Sequence, residues 1–289
     1  MADWDGAGYE RISGLQRRLA RDVLDGLEFR PDERVLDVGC GDGYLTRVIA
    51  SRLPGGSVVG VDASPRMIEV ARSRPDPSGA DVRFLVADAR DLPFTDEFDT
   101  VVSFNALHWV ADRSAEPGGP PVIAAGPRVD DPATQEPDRS ARSQVVALTA
   151  IARSLRPDGR VVVQQVCAGP RRSLEQTAMR ACAEPRWAAA FTGFAAPFVH
   201  VDPAGYPALA ARAGLRVTSR RVADLSWDFG SRASFTDWCT IGFADWTARL
   251  PPAQVAAWVD DVVDAYQAEV GEPGLFRFLQ MRAEMIRLR

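Results

Sequence analysis

The chain has 289 residues, 46% of them hydrophobic, with a net charge of −5 and a pI of about 5.2. This is enough for one large domain, or a domain with an appended subdomain, and argues against a broad nucleic-acid surface. Every basic residue other than the two histidines is Arg. That excludes Schiff-base chemistry on the protein and a P-loop lysine, and it points to a high-GC bacterial genome. "MADWDGAGYE" carries no apolar run of a secretory signal, and no segment has the length and freedom from charge of a membrane span. A cytoplasmic protein without membrane or nucleic-acid partners is expected. Cys40, Cys167, Cys182 and Cys239 are scattered, which suits reduced thiols, and no Cys/His cluster has metal-ligand spacing, so no metal is expected.

In chain order, "YERISGLQRRLARDVLDGL" (9–27) has the apolar spacing of an amphipathic helix. "ERVLDVG" reads as a strand buried on both faces, and "YLTRVIASRL" returns to helical spacing until Pro54-Gly55-Gly56. "SVVGVD" is the second strand. "SPRMIEVARSR" is the next helix, with Ser64 as N-cap and Pro65 at the first helical position, where its missing N–H costs nothing. "VRFLVAD" and "FDTVVSF" are the third and fourth strands. "QVVALTAIARSLR" is a helix closed by Pro157-Asp158-Gly159, and "RVVVQQV" is the fifth strand. The alternation predicts an α/β fold with a doubly wound, mostly parallel sheet.

Two regions interrupt this rhythm. Residues 112–142 are rich in Pro, Gly and charge and read as a flexible loop inserted between elements that would join without it. Residues 169–214 carry Trp187, Phe191, Phe194, Phe198 and Tyr206 among short helical pieces, and read as a cap inserted over the sheet. "LRVTSRRVADLSWDF" is a sixth strand. "SFTDWCTIGFADWTARL" and "PAQVAAWVDDVVDAYQAEV" are two more helices. "LFRFLQMRAEMIRL" fits a helix or a strand. The divisions are an N-terminal segment (1–30), a core (31–168) and a helical cap with C-terminal strands (169–289).

Gly39, Gly41 and Gly43 form G-x-G-x-G between a strand and a helix, the context of a nucleotide-cofactor turn. A dinucleotide fingerprint needs its third glycine one residue later, where Tyr44 stands. Asp37 at the strand end and Asp42 in the loop would repel a pyrophosphate and welcome a cation. S-adenosylmethionine, with a sulfonium, an ammonium and no phosphate, fits. Asp62 ends the second strand about twenty residues on, where an acid accepts ribose hydroxyls, those of NAD as readily as those of S-adenosylmethionine. Asp88 ends the third strand, within reach of an adenine amino group, and Met67 can pack on the adenine face.

"VLDVGCGDGYL", "VVGVDASPRMIEVAR", "FLVADARDLPF", "FDTVVSFNALHWV" and "SLRPDGRVVVQ" resemble, in order, the successive motifs of the class I S-adenosylmethionine-dependent methyltransferases. The resemblance covers roughly residues 4–167. "NALHWV" is similar to the branch that contains trans-aconitate, malonyl-carrier-protein and juvenile hormone acid methyltransferases, which act on carboxylates. It implies a Rossmann-like seven-stranded sheet whose last strand, the final segment, is antiparallel. It also implies an N-terminal segment folded over the cofactor, with Trp4 and Tyr9 in its "W-x-x-x-x-Y". By the same resemblance Asp37, Gly39, Cys40, Gly41 and Gly43 face the methionine part, together with Asn105. Ala63 and Met67 lie beside the adenine, Asp62 on the ribose, and Asp88 with Ala89 at the adenine edge. The region after about Gly169 matches no motif of the family.

The implied activity is methyl transfer to a small molecule, with S-adenosylhomocysteine as product. O-methylation of a carboxylate or hydroxyl comes first; C-methylation of a natural product, or NAD(P)-dependent oxidoreduction on a similar sheet, are the alternatives. A carboxylate nucleophile needs no base, whereas a hydroxyl does. His108 is the candidate base beside the methyl position, or it packs the loop with Trp109 lining the pocket. His200 fits a pocket or a surface role equally well. Arg171 and Arg172 can receive a carboxylate bidentately, although solvated surface is the commoner place for such a pair. Trp187, Phe191, Phe194 and Phe198, with Trp227, Phe235, Trp238, Phe243 and Trp246, suggest an apolar substrate pocket or, for more of them, its surrounding core.

Overall fold

Apolar runs with no polar alternation demand cover on both faces, and the sheet supplies it. In a computed structural model that describes residues 14–75, 79–111 and 139–288, β1 (Arg34–Val38) lies between β2 (Ser57–Asp62) and β4 (Phe98–Phe104), with Val35, Leu36 and Val38 at 1% exposure or less. Each such side chain contributes about 1.5–3 kcal/mol by leaving water. β3 (Asp81–Val86) forms one edge; β5 (Leu155–Val166) pairs parallel with β4. β7 (Leu275–Arg287) inserts antiparallel between β5 and β6 (Leu215–Asp228), giving the order β3-β2-β1-β4-β5-β7-β6. The last segment is thus a strand, and its Phe276, Phe278 and Gln280 share one buried face.

Helices α1 (Gly14–Leu24) and α2 (Tyr44–Ala50) bury Ala20, Val23, Leu24, Ile49 and Ala50 against one face of β1 and β4. α3 (Pro65–Ser73) starts as its sequence dictates: Ser64 Oγ accepts from the Met67 N–H at 3.3 Å, and Pro65 opens the helix. α4 (Arg139–Ser154) takes in the last four residues assigned to the insertion. Trp4, Tyr9 and most of the 112–142 segment lie outside the described residues.

Three boundaries differ from expectation. Leu155 already pairs with Phe98, so Pro157-Asp158-Gly159 does not close the helix; it sits in a register shift within β5, with Asp158 at φ 64°. Proline drives the residue before it toward extended backbone, which ends α4 earlier. α6 (Tyr206–Arg212) is not part of a cap: Tyr206 is fully buried in the sheet's main core with Val161, Val163 and Met285. The single helix expected over 234–250 divides at Phe243 into α7 (Arg232–Gly242) and α8 (Ala244–Thr247).

The cap is formed by α5 (Leu174–Cys182), α7, α8 and α9 (Pro252–Val270), joined by a second aromatic-rich core. α5 begins with a full capping box. Ser173 Oγ accepts from the Gln176 N–H at 3.1 Å, and Gln176 Oε1 accepts from the Ser173 N–H at 2.9 Å. This fixes where the helix starts. Among the described residues no helix is long and apolar enough to cross a membrane.

Candidate functional site

The carboxyl ends of β1, β2 and β4 open into a cleft of about 1400 Å³ of empty space, its open mouth included, which continues beneath the cap. Open α/β sheets bind ligands at this edge.

The glycine loop forms one wall. Gly39 (φ 79°) and Gly41 line the cleft, and a Cβ on Gly39 would lie 2.1 Å from the Ala106 Cβ, so no other residue fits there. The loop's amides are already committed. Gly39 and Cys40 donate to Val61 O, Gly41 to Asp62 Oδ2, Gly43 to Cys40 O, and Tyr44 to Asp42 Oδ1. A pyrophosphate turn works by presenting free N–H groups to anions; this turn has given five of its amides to the protein.

The electrostatic reading of the loop needs revision. Asp42 does not face the cleft: it is 4% exposed, with Arg17 Nη2 at 2.6 Å and Arg74 Nη2 at 3.2 Å. Asp37 lies below the loop and does not line the cleft. Thr46 Oγ1 donates to it at 2.7 Å, and burial raises its pKa to about 7 against that hydrogen bond. Cys40 and Gly43 also stand back from the cleft; Cys40 packs with Ile68, Ala71 and Phe84. The negative charge in the cleft comes instead from Asp62 and Asp88 at the strand ends and from Glu175 under the cap.

Asp62 accepts from Gly41 N at 3.0 Å and Ser64 N at 2.9 Å. Burial raises its pKa while those amides oppose the rise. Asp88 follows β3 by two residues and is gripped by Arg90, whose hydrogen bonds hold its carboxyl below the usual range. Ala63, Met67 and Ala89 line the cleft beside them. Asn105 adopts φ 55° at the end of β4, and its buried Nδ2 has no hydrogen-bond partner while the residue lines the cleft.

Under the cap the lining turns apolar. Trp109 and His108 line it from a 3₁₀ turn, Leu107–Trp109. Burial, aided by His200, depresses the His108 pKa to about 3, so it is neutral at pH 7 and a weak proton acceptor. Trp187, Phe191, Phe194 and His200 do not line the cleft. Trp187 and Phe191 are buried in the cap core, where Trp187 Nε1 donates to Asp261 at 2.8 Å. Aromatics at helical spacing look alike whether they face a core or a cavity. Trp238 and Phe243 face the cleft, as do Leu15, Leu19, Phe276, Phe278 and Glu175, which the sequence did not single out. Arg171 and Arg172 are outside it, paired with Asp224 and Glu269. Among the described residues no three His, Cys, Asp or Glu side chains are placed to hold a metal ion, and all four cysteines are free and buried.

Residues 35–117 match the family described as "Methyltransferase domain". The chain is 37% identical over 111 residues to a trans-aconitate 2-methyltransferase of Mycobacterium tuberculosis, 38% of this chain and 40% of that relative. It is 34% identical over 106 residues to a malonyl-[acyl-carrier protein] O-methyltransferase of Acetivibrio thermocellus, 36% of this chain and 37% of the relative. These matches therefore span about two fifths of the curated relatives' length. The fold is shared with the YcgJ protein from Bacillus subtilis: TM-score 0.61, 19% identity, 94% of this chain and 99% of that one.

Proposed function

We propose that this chain, a member of the class I methyltransferase family, transfers a methyl group from S-adenosylmethionine to an oxygen of a small apolar molecule. When bound, the cofactor supplies an electrophilic methyl group on a sulfonium sulfur. The observation that carries the reading is one continuous cleft running from the glycine loop to the aromatic underside of the cap.

The residues at the loop end suit this cofactor and not a dinucleotide. Gly39 and Gly41 allow close approach, and their N–H groups are not available for phosphate. Asp62 has lone pairs left for ribose hydroxyls, Asp88 and Ala89 lie at the adenine edge, and Met67 offers a side-chain face to the ring. The free Asn105 Nδ2 is a donor for the methionine part. No Arg lies among the described residues that line the cleft, so cationic ligands meet only neutral or acidic side chains.

Under the cap, Trp109, Trp238, Phe243, Phe276 and Phe278 exclude water and hold an apolar acceptor in line. Alignment and desolvation supply much of the rate for a reaction with so good a leaving group. The relatives' names refer to acids as acceptors, but the family match ends at residue 117, before the cap. The acceptor oxygen belongs to a carboxylate or a hydroxyl. Incubation with methyl-labelled cofactor and a panel of apolar acids, phenols and alcohols tests this reading, with label expected on at least one acceptor. No transfer, together with no binding of S-adenosylhomocysteine, refutes it.

A further inference from the structure

We propose that Glu175 makes the cap half of the cleft a site for a neutral hydroxyl on an apolar molecule, and that it receives the hydroxyl proton. This rests on the methyltransferase reading above and chooses between its two acceptors.

Glu175 is 6% exposed, stands in the first turn of α5, and lines the cleft. It shares the cleft lining with Leu174, Trp238, Cys239, Phe243, Phe276 and Phe278. Its sole ionic neighbour among the described residues is His200, whose Nε2 is 3.7 Å from Glu175 Oε2. That nitrogen has no hydrogen-bond partner, and the His200 side chain is 3% exposed. The His200 ring lies 6.4 Å from the ring of His108, whose buried Nδ1 is also without a partner. Burial lowers the pKa of His200, although Glu175 pulls it upward, and keeps His108 neutral.

A carboxylate withdrawn from water into an apolar wall is costly unless a donor reaches it. Among the described residues no Arg and no hydrogen bond reaches the Glu175 carboxylate, and His200 Nε2 stands off at 3.7 Å, so a hydroxyl in the cleft can bring it a donor at hydrogen-bond distance. A carboxylate acceptor would bring a second anion against Glu175, with no Arg among the described cleft-lining residues to offset it and Arg171 and Arg172 paired outside with Asp224 and Glu269. A hydroxyl brings the missing donor. In the transfer, its oxygen lone pair forms the new bond to the methyl carbon as the carbon–sulfur bond breaks. That bond's electron pair stays on sulfur as a neutral thioether, and the hydroxyl proton passes to Glu175.

The test uses the full chain loaded with S-adenosylhomocysteine, titrated calorimetrically with 1-naphthol and 1-naphthoate. The wild type is expected to bind naphthol about tenfold or more tighter than naphthoate, one like-charge contact's worth. Glu175→Gln, nearly isosteric, should bring the two close to parity while leaving S-adenosylhomocysteine affinity unchanged. Under turnover, Glu175→Gln should slow naphthol methylation by about 100-fold, the scale of a lost general base, with a smaller deficit for an acidic nitrophenol that ionises unaided. Tighter binding of naphthoate by the wild type overturns the proposal. So does a preference that Glu175→Gln leaves unaltered, or binding of neither compound. Failure to bind S-adenosylhomocysteine at all would instead refute the underlying methyltransferase reading.

Discussion

Gln280 Nε2 donates to Asn105 Oδ1 at 2.8 Å, although the two residues stand 175 positions apart. Gln164 Nε2 donates to Gln280 Oε1 at 2.7 Å and to Leu19 O at 3.2 Å. This chain of amides runs from α1 through β5 and β7 to the left-handed residue at the end of β4. It orients Asn105 so that Nδ2 remains free at the cleft. Gln280→Leu strands buried polar atoms on both sides, and a loss of about 2 kcal/mol is expected. Cofactor affinity should fall as well. Chemical denaturation and calorimetry measure the two effects.

Gly39→Ala places a methyl group 2.1 Å from the Ala106 Cβ at φ 79°. The clash and the backbone strain together should cost about 2–4 kcal/mol. Adding Ala106→Gly removes the clash but not the strain, so the double variant should recover roughly half of the loss. Full recovery would show that the left-handed conformation at Gly39 carries no cost.

Arg17 fastens α1 to the glycine loop through Asp42, and its guanidinium lies 4.5 Å from the Tyr44 ring centroid. Arg17→Ala leaves Asp42 with Arg74, so the loss should be about 1.5 kcal/mol rather than that of an orphaned buried charge. Arg17→Ala combined with Arg74→Ala should cost more than the sum of the single changes. Urea unfolding of the three variants decides this.

Two buried groups give stability opposite dependences on pH. For His108 the native pKa is about 3 and the ordinary value 6.5, so its contribution is present above 6.5 and is lost as pH falls toward 3. Asp37 has a native pKa of about 7 against 3.8; its contribution is present below 3.8 and is lost as pH rises through 7. Between about pH 4 and 6.5 the two slopes, each at most about 1.4 kcal/mol per pH unit, oppose and largely cancel in the wild type. His108→Leu should therefore leave stability falling as pH rises across that range, and Asp37→Asn should leave it rising. Stability measured from pH 4 to 8 checks both signs.

The sheet was legible because its central strands β1, β2 and β4 are buried apolar runs, and the seventh strand because the motif order implied it. Asp62, Asp88 and Asn105 could be placed because strand ends locate them without tertiary information. Asp42 could not: its partner Arg17 lies 25 positions upstream, and only packing of α1 on α2 brings them together. The cap failed for another reason. Trp187 and Trp238 have the same local pattern, yet one is held by Asp261 inside the cap core and the other faces the cleft. Glu175 reads as an ordinary acidic residue in a helix's first turn, favourable to the helix dipole. Its burial beside an apolar wall depends on which way α5 docks.

The central claim is that a loop with its amides committed, flanked by Asp62 and Asp88, accepts a sulfonium cofactor and not a diphosphate. Isothermal titration of the full chain with S-adenosylmethionine, NADH and NADPH tests it most directly. The account predicts saturable binding of S-adenosylmethionine that Asp62→Ala weakens by about 100-fold, about two hydrogen bonds to ribose, and no measurable heat from either dinucleotide. Tight binding of a dinucleotide with none of S-adenosylmethionine would contradict it.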